Sequence, residues 1–178
     1  MKEYINARTG GANPEISIIP YEAKYRDDML FCYLSAKDAV GAYAPEPERH
    51  PPALKADLLD IENRYFARGD VFYLAVNEYG RVVGMLGTHT VSPTDLWLKR
   101  LFIKPELKGR GIGGRLLSTV EAYAAGRGIT TIHTSFAVWY REAAAFYPAK
   151  GFVEAASEDG HSRHMVKALN STVKAFAK

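Results

Sequence analysis

The sequence predicts an α/β fold, with a mixed sheet of six or seven strands and about four flanking helices. A strand pattern at residues 96–103 is followed by a glycine-rich loop and a helical pattern, and a further strand pattern returns at residues 129–136. Upstream, two strand patterns are joined by a turn that contains Gly80. A strand, helix and strand unit joins parallel neighbours, whereas a short turn joins antiparallel ones. Both kinds of pairing are therefore expected in one sheet.

The chain begins with an element order of strand, helix, loop and helix. The first strand pattern covers residues 16–19 and ends at Pro20, because proline has no backbone donor. Asp27 and Asp28 suit a helix N-terminus and predict a first helix. Its apolar face is expected to contain Leu30, Tyr33, Leu34 and residues 36–40.

A second helix is predicted after a proline-rich loop. Residues 45–52 contain four prolines, which predict a stiff, exposed loop. The helix that follows is predicted from an apolar stripe that ends before Gly69. The stripe consists of Leu54, Leu58, Ile61 and Tyr65.

The remaining elements alternate between strands and helices. Strands are predicted at 71–76, 82–88 and 96–103, then at 129–136, 152–156 and 162–169. The helix behind the glycine loop is predicted to end at residues 126–128, and a last helix covers residues 140–149. A turn is expected at residues 158–160.

The glycine-rich loop has the composition of a phosphate-binding site. Residues 108–114 read Lys-Gly-Arg-Gly-Ile-Gly-Gly and lie directly before a helix. Glycine lets an anion approach the backbone closely, and a helix N-terminus adds free N–H donors and partial positive charge. A tight turn with glycine only for packing is the alternative. The Walker loop does not fit, because Arg115 and Leu116 follow the last glycine, and the dinucleotide fingerprint lacks its downstream acid.

The segment resembles the acetyl-CoA-binding signature of the GNAT family of N-acetyltransferases. That signature is Arg or Gln, two residues, Gly, one residue, and Gly or Ala, at the end of an apolar strand. It falls here on Lys108, Gly111 and Gly113, after a strand that ends at residues 101–103. Lys108 replaces the usual Arg or Gln. Relative to Arg, the positive charge is kept, but the planar guanidinium with its paired donors is lost.

A second block supports the resemblance. The family's later helix often reads Asn-x-x-Ala-x-x-Leu-Tyr followed by Gly-Phe. Residues 140–147 read Tyr-Arg-Glu-Ala-Ala-Ala-Phe-Tyr and run on to Gly151 and Phe152. Tyr140 stands where the family often has Asn. The resemblance is specific over residues 96–152 and architectural elsewhere.

The resemblance implies a GNAT-like acyl-CoA N-acyltransferase fold, in which acetyl-CoA lies between two splayed parallel strands. It also implies that the first two helices and the proline-rich loop between them border the acceptor site, although a role of this loop as a mere spacer is the alternative. It implies a general acid at Tyr147 that protonates the leaving thiolate, although a packing role for this tyrosine is the alternative. The residues implied to bind acetyl-CoA are Leu101, Phe102, Ile103, Lys108, Gly109, Arg110, Gly111, Ile112, Gly113, Gly114, Arg115, Tyr140, Ala143 and Phe146.

Composition excludes several other classes of protein. The 178 residues carry a net charge of +3 without a long basic run, so no nucleic-acid partner is expected. A lone Cys32 allows no internal disulfide, and neither a signal peptide nor an apolar span of membrane length is found.

We expect a cytoplasmic monomer or homodimer, with a flexible arm at 1–15 and one domain at 16–178. No metal site is expected, because His161 and His164 differ by three on a predicted strand.

Two functions remain open at the level of sequence. The first is direct acetyl transfer from acetyl-CoA to a primary amine of a small molecule or peptide. The second is a GNAT-like module that binds CoA as a sensor or in an interaction, without catalysis. No general base is assigned, because Glu106 and Asp95 lie at the ends of the central strand. Loss of the amine proton through water or directly to solvent is as compatible with the sequence as either carboxylate.

Overall fold

A computed structural model describes residues 15–42, 44, 53–156 and 160–169. It contains a seven-stranded mixed sheet with the order β1-β2-β3-β4-β5-β7-β6. The strands are β1 (Ile16–Pro20), β2 (Phe72–Asn77), β3 (Val82–Thr90), β4 (Asp95–Ile103), β5 (Thr131–Ala137), β6 (Val153–Ala155) and β7 (Ser162–Ala168). The helices are α1 (Arg26–Gly41), α2 (Ile61–Arg64), α3 (Ile112–Gly126) and α4 (Arg141–Ala149).

The sheet topology confirms the predicted α/β fold class. Strands β1 to β4 pair antiparallel in chain order, and β4 then pairs parallel with β5. Strand β7 lies between β5 and β6 and is antiparallel to both. The predicted arm at 1–15, the proline-rich loop at 45–52 and the turn at 158–160 fall wholly or mainly outside the described residues.

Helices α1 and α3 cover opposite faces of the sheet. Alternate residues of β2 enter different cores: Phe72 and Leu74 pack with α1, whereas Ala75 packs with α3. We call these two sides the α1 face and the α3 face. Helix α4 contributes the buried Tyr147 to the core of the α3 face. Among the described residues, no helix is both long enough and apolar enough to cross a bilayer.

Strands β4 and β5 separate soon after they pair. Their register covers only Asp95 with Thr131, Leu96 with Ile132 and Trp97 with His133, although both strands continue well beyond these positions. Beyond Trp97 the two strands therefore leave a gap in the middle of the sheet. Helix α3 follows β4 at the open end of this gap, so the glycine-rich loop borders it.

A β-bulge lies in β4 a few residues beyond the point at which it leaves β5. The β3–β4 register shifts between Met85–Phe102 and Gly87–Lys99, so Arg100 and Leu101 together lie opposite Leu86. Arg100 is the single non-glycine residue with a positive φ, 61°, in the described part of the chain. A bulge leaves the extra residue unpaired and bends its strand. Here it turns Arg100 toward the gap.

The predicted second helix is shorter than its apolar stripe suggested. Residues 55–60 form turns with i to i+3 hydrogen bonds, and α2 begins only at Ile61, where the Asp60 side chain accepts from the Asn63 backbone N–H. Leu54 is 42% exposed, whereas Leu58 is fully buried. The helix cannot extend far, because a 3₁₀ turn follows it and Gly69 has a left-handed φ of 77°.

The face that α1 buries also differs in part from the prediction. Met29, Cys32, Tyr33 and Ala36 are its buried residues, whereas Leu30 and Leu34 are only half-buried. The predicted and observed stripes share Tyr33 and Ala36. The observed stripe differs from the predicted one because α1 packs against β3 and β4 with the side that carries positions 29, 32, 33 and 36.

Candidate active site

The gap between β4 and β5 is part of a cleft of about 1160 Å³. Residues of α1 and residues of the first turn of α3 both line it, so the cleft passes through the sheet from one face to the other. All the predicted site residues except Arg110 and Arg115 line it, namely Leu101, Phe102, Ile103, Lys108, Gly109, Gly111, Ile112, Gly113, Gly114, Tyr140, Ala143, Phe146 and Tyr147.

The two remaining predicted residues lie beside the cleft. Arg115 donates from its guanidinium to the Ile16 carbonyl at 2.6 Å, which holds the side chain toward β1. It borders a shallow neighbouring depression together with Ser118 and Lys150. Arg110 is exposed and is absent from the lining of both cavities. The cations nearest the glycine loop within the cleft are therefore Lys108 and Lys150.

The glycine-rich loop presents open backbone to the cleft. Gly109 and Gly111 have φ values of 75° and 78°, and a Cβ atom at either would meet no heavy atom within 4 Å. Gly111 caps α3 without a side-chain hydrogen bond. The first N–H groups of a helix have no intrahelical acceptor, so this turn offers donors and partial positive charge. The space and the donors suit a diphosphate.

Tyr147 has a buried hydroxyl at the wall of the cleft. Its ring stacks on Phe136 at a centroid distance of 5.5 Å, and Phe146 and Phe152 contact it edge-on. Burial raises the pKa of Tyr147, and a hydrogen bond with Thr134 offsets part of that increase. The hydroxyl therefore keeps its proton at neutral pH. A protonated, rigidly held hydroxyl can serve as a general acid.

Basic side chains line the α1 face of the cleft. Lys37 of α1 donates to the hydroxyl of Tyr140, and its Nζ lies 5.1 Å from the centre of the Tyr140 ring. Lys99 is exposed and holds its Nζ 5.3 Å from the centre of the Trp97 ring. Desolvation by the protein atoms around each ammonium group, together with the nearby Arg100, lowers the pKa of both lysines, although the Lys99 residue as a whole is exposed.

Arg100 is fixed by an ion pair with Asp57. Two guanidinium nitrogens donate to the two carboxylate oxygens at 2.9 and 2.8 Å, and the hydroxyl of Tyr65 donates to the same carboxylate at 2.6 Å. Burial alone would raise the pKa of Asp57, but the hydrogen bonds from Arg100 and Tyr65 outweigh it and lower the pKa. This pair stabilises the bulge despite its strained φ.

A chain of polar contacts runs along the α1 face beside the cleft. Asp95 Oδ1 lies 3.0 Å from His133 Nε2, and His133 Nδ1 lies 3.1 Å from His164 Nε2. Trp97 stacks on both imidazoles. Hydrogen bonds from Ser92, His133 and Thr94 lower the pKa of Asp95 to about 2. In the described part of the chain, no group of three or more His, Cys, Asp or Glu side chains is arranged to hold a metal ion.

Sequence reasoning did not identify Lys37, Lys99, Arg100 or Thr134 as cleft residues. One signal was present for two of them: Lys99 and Arg100 interrupt an otherwise apolar strand. Two adjacent charges in a central strand cannot both face solvent if the strand is covered, so they indicate a gap or a bulge. Lys37 and Thr134 carry no comparable local signal.

Comparison with known proteins places the chain in a family. Residues 32–152 match the model of the acetyltransferase (GNAT) family. An "IAA acetyltransferase" of Azospirillum brasilense is 29% identical over 124 residues, which are 66% of this chain and 79% of that protein.

Solved structures show the same fold. The crystal structure of an acetyltransferase of the GNAT family from Staphylococcus aureus Mu50 aligns with a TM-score of 0.74 and 24% identity, over 87% of this chain and 99% of that one. The PaiA N-acetyltransferase of Thermoplasma acidophilum, in complex with coenzyme A, aligns with a TM-score of 0.69 and 20% identity, over 87% and 99% of the two chains. The chain thus belongs to the acetyltransferase (GNAT) family, whose activity is acetyl-CoA-dependent acyl transfer.

Proposed function

We propose that this protein transfers an acetyl group from acetyl-CoA directly to the primary amine of a small molecule or peptide, with Tyr147 as the general acid. One observation carries the proposal: the open backbone of the glycine-rich loop and the buried, protonated hydroxyl of Tyr147 line the same cleft. The loop can hold a phosphate group, and the hydroxyl can supply a proton. Binding of the cofactor and protonation of the leaving thiolate are the two steps of acetyl transfer in which the protein takes part.

The cleft fits acetyl-CoA as a co-substrate. Backbone N–H groups of residues 109–114 would hold the diphosphate, with Lys108 and Lys150 nearby. The apolar residues 101–103, together with Ala143 and Phe146, would contact the pantetheine arm. Acetyl-CoA supplies an acyl thioester, whose carbonyl carbon accepts the amine and whose thiolate leaves.

The reaction balances without a covalent enzyme intermediate. The amine nitrogen forms the new C–N bond while the C–S bond breaks, and the amine gives up its extra protons to water. Tyr147 donates its proton to the departing sulfur and recovers one from solvent. The hydroxyl is suited to this role because three aromatic rings, those of Phe136, Phe146 and Phe152, hold the tyrosine ring, and burial keeps the hydroxyl protonated.

No carboxylate in the described part of the cleft is free to act as a base. Glu142 is the one acidic residue of the lining in the part of the chain that the structure describes, and it pairs with Lys108. Asp95 lies outside the lining and is held by Ser92 and Thr94. We therefore propose that the amine loses its proton to water before attack.

Release of free thiol from acetyl-CoA tests the proposal. The purified protein is incubated with acetyl-CoA and a panel of primary amines, and thiol formation is compared with the rate without amine. Amine-dependent thiol release, with the acetylated product seen by mass spectrometry, is expected. Tight binding of acetyl-CoA with no thiol release across the panel would instead favour a CoA-binding sensor or interaction module.

A further inference from the structure

The α1 face of the cleft carries positive charge at some distance from the glycine-rich loop. We call Lys37, Lys99 and Arg100 the cationic wall. Lys99 lies directly opposite Gly87, and a Cβ atom on Gly87 would point at Phe72 and Tyr65 of the α1-face core. Directly opposed residues of an antiparallel pair share a face. Lys99 therefore projects toward α1, where Lys37 also lies, and away from the start of α3.

Two charges of the cationic wall have no carboxylate partner in the described residues. Arg100 is matched by Asp57, but the ion pairs of the described chain include neither Lys37 nor Lys99. Each lysine instead lies against an aromatic ring, Lys37 on Tyr140 and Lys99 on Trp97. Such contacts hold the ammonium group in place without neutralising it.

The cofactor does not need these charges. The diphosphate site proposed above has its own donors in residues 109–114 and its own cations in Lys108 and Lys150, all at the α3 end of the cleft. Among the described residues, the lining contains six basic side chains (Lys37, Lys99, Arg100, Lys108, Arg141 and Lys150) and a single acid, Glu142. The excess of positive charge at the α1 end is therefore available to the other substrate.

We propose that the acceptor is a small amine that also carries a carboxylate, as an amino acid does, and that Lys37 and Lys99 bind this carboxylate. The proposal rests on the transferase function proposed above and names its substrate class. An ammonium–carboxylate pair in a partly desolvated cleft is stronger than one on an open surface. A polyamine, which has only positive charge, would be repelled by the same wall.

The wall also bears on deprotonation of the acceptor. A cation near an ammonium group lowers the pKa of that group, because the charged form is disfavoured. The bound acceptor would thus present a larger fraction of neutral amine, which is the nucleophile. This effect reduces the need for a dedicated base and agrees with the lack of an unpaired carboxylate in the described lining.

The experiment compares pairs of acceptors that differ only in the acidic group. Several amino acids and their carboxamides are assayed at saturating acetyl-CoA, with spermidine as a polyamine probe. We expect kcat/KM to favour the amino acid over its amide by about tenfold or more, the size of one charge-assisted contact. The direction is informative, since an amino acid amide has the less basic amine and would react faster if the carboxylate were irrelevant.

Substitutions in the cationic wall test whether Lys37 and Lys99 cause the preference for the amino acid over its amide. Lys99→Gln and Lys37→Gln should each raise KM for the amino acid about tenfold and leave KM for the amide and for acetyl-CoA unchanged. Lys104→Gln is the matched control, because Lys104 lies near β4 against Phe31 and does not line the cleft. It should change none of these constants.

The two proposals can fail separately. Use of the amides or of spermidine at least as efficiently as the amino acids would overturn the carboxylate-bearing acceptor and leave acetyl transfer intact. If no amine releases thiol, the transferase function fails, and the wall is then tested by binding. In that case N-acetyl amino acids and their amides are titrated into the CoA-bound protein by calorimetry. If the N-acetyl amino acid binds more tightly than its amide, and Lys99→Gln removes this difference, the carboxylate-binding site stands. If the two ligands bind equally well to the wild type, the site is overturned.

Discussion

The two ends of the cleft are built in different ways. At the α3 end, one continuous stretch of seven residues, 108–114, supplies the backbone donors, the open space and one cation. At the α1 end, the cationic wall combines Lys37 with residues 99–100, and Tyr140 and Asp57 hold these side chains from outside the wall. The first end uses backbone groups, which one short glycine-rich segment can supply by itself. The second uses side chains from distant segments, which can be exchanged one at a time to suit an acceptor.

The hydroxyl of Tyr147 lines the cleft that joins the two ends, and its removal should have the largest effect. Tyr147→Phe deletes one oxygen and retains the ring that packs on Phe136. If the hydroxyl protonates the departing thiolate, kcat should fall about 10²- to 10⁴-fold, with little change in acetyl-CoA affinity. Steady-state kinetics and calorimetry measure the two quantities.

The pH profile gives a second measure of the same role. Because burial raises the pKa of Tyr147, the high-pH limb of the wild-type rate should lie above pH 10 and be absent from Tyr147→Phe. Tyr123→Phe is the matched control, since its hydroxyl donates to the Gly69 carbonyl away from the cleft. A loss of less than about fivefold in Tyr147→Phe would assign the ring to packing and show that the thiolate leaves unaided.

Gly111→Val should affect the α3 end alone. Gly111 has a φ of 78°, and the space around its missing Cβ is open, so a valine would occupy the proposed phosphate site and strain the backbone. We expect acetyl-CoA affinity to fall at least about tenfold, as for loss of one good charged contact. Isothermal titration measures the change.

Gly80→Val separates strain from loss of the site. Gly80 has a similar φ of 71° and equally open surroundings, but it lies in the turn between β2 and β3. Its valine variant should lose a comparable amount of stability and keep its acetyl-CoA affinity. If both variants bind acetyl-CoA like the wild type, the loop is a packing turn and not a phosphate site.

Asp57→Asn should weaken the α1 end and leave the α3 end unchanged. It leaves Arg100 without its charged partner next to the bulge, at a site where both side chains are mostly buried. The free energy of unfolding should fall by about 1–3 kcal/mol at pH 7, as for loss of hydrogen bonds to a charged group. Denaturant unfolding measures this, and acetyl-CoA affinity should not change.

The same variant has a defined pH dependence. The folded-state pKa of Asp57 lies below its unfolded value, so its contribution is present above that unfolded value, about 3.9, and is lost as pH falls through the folded pKa. The difference between wild type and Asp57→Asn should therefore shrink on acidification. Asp28→Asn is the comparison for a paired carboxylate outside the cleft: the pKa of Asp28 is also lowered, but its partner is Arg81. Its stability difference from wild type should shrink on acidification in the same way. A difference that stays constant with pH would show that the carboxylate charge is not what stabilises the bulge.

The contrast between the ends explains what could be predicted from the sequence. The strand order and the glycine-rich loop follow from local patterns, because turns, proline and glycine act over a few residues. Arg100 could not be placed in the same way: its positive φ depends on an ion pair with a residue 43 positions earlier. The prediction of a long second helix was wrong for a related reason: the Asp57 carboxylate accepts hydrogen bonds from both Arg100 and Tyr65, and residues 55–60 form turns instead of helix.

The smallest expected effects concern Lys108, which forms an ion pair with Glu142. The pair is exposed, and such pairs contribute about 0–1 kcal/mol, or at most about fivefold in an equilibrium constant. Lys108→Gln should therefore raise KM for acetyl-CoA only a few-fold. Glu142→Gln releases the ammonium group from its partner and should lower the same KM by a similar factor. Steady-state kinetics at low and high salt measure both, and the changes should diminish as salt screens the charges.

Opposite signs in these two variants would show that Lys108 acts on the cofactor through its charge. Neither variant should alter KM for the acceptor, because the cationic wall lies on the other face of the sheet. If Lys108→Gln changed acceptor KM as strongly as Lys99→Gln, the two ends would not act independently, and the division of the cleft into a cofactor end and an acceptor end would be wrong. A shared sign for Lys108→Gln and Glu142→Gln would instead indicate that the ion pair itself orders the start of α4 beside the loop.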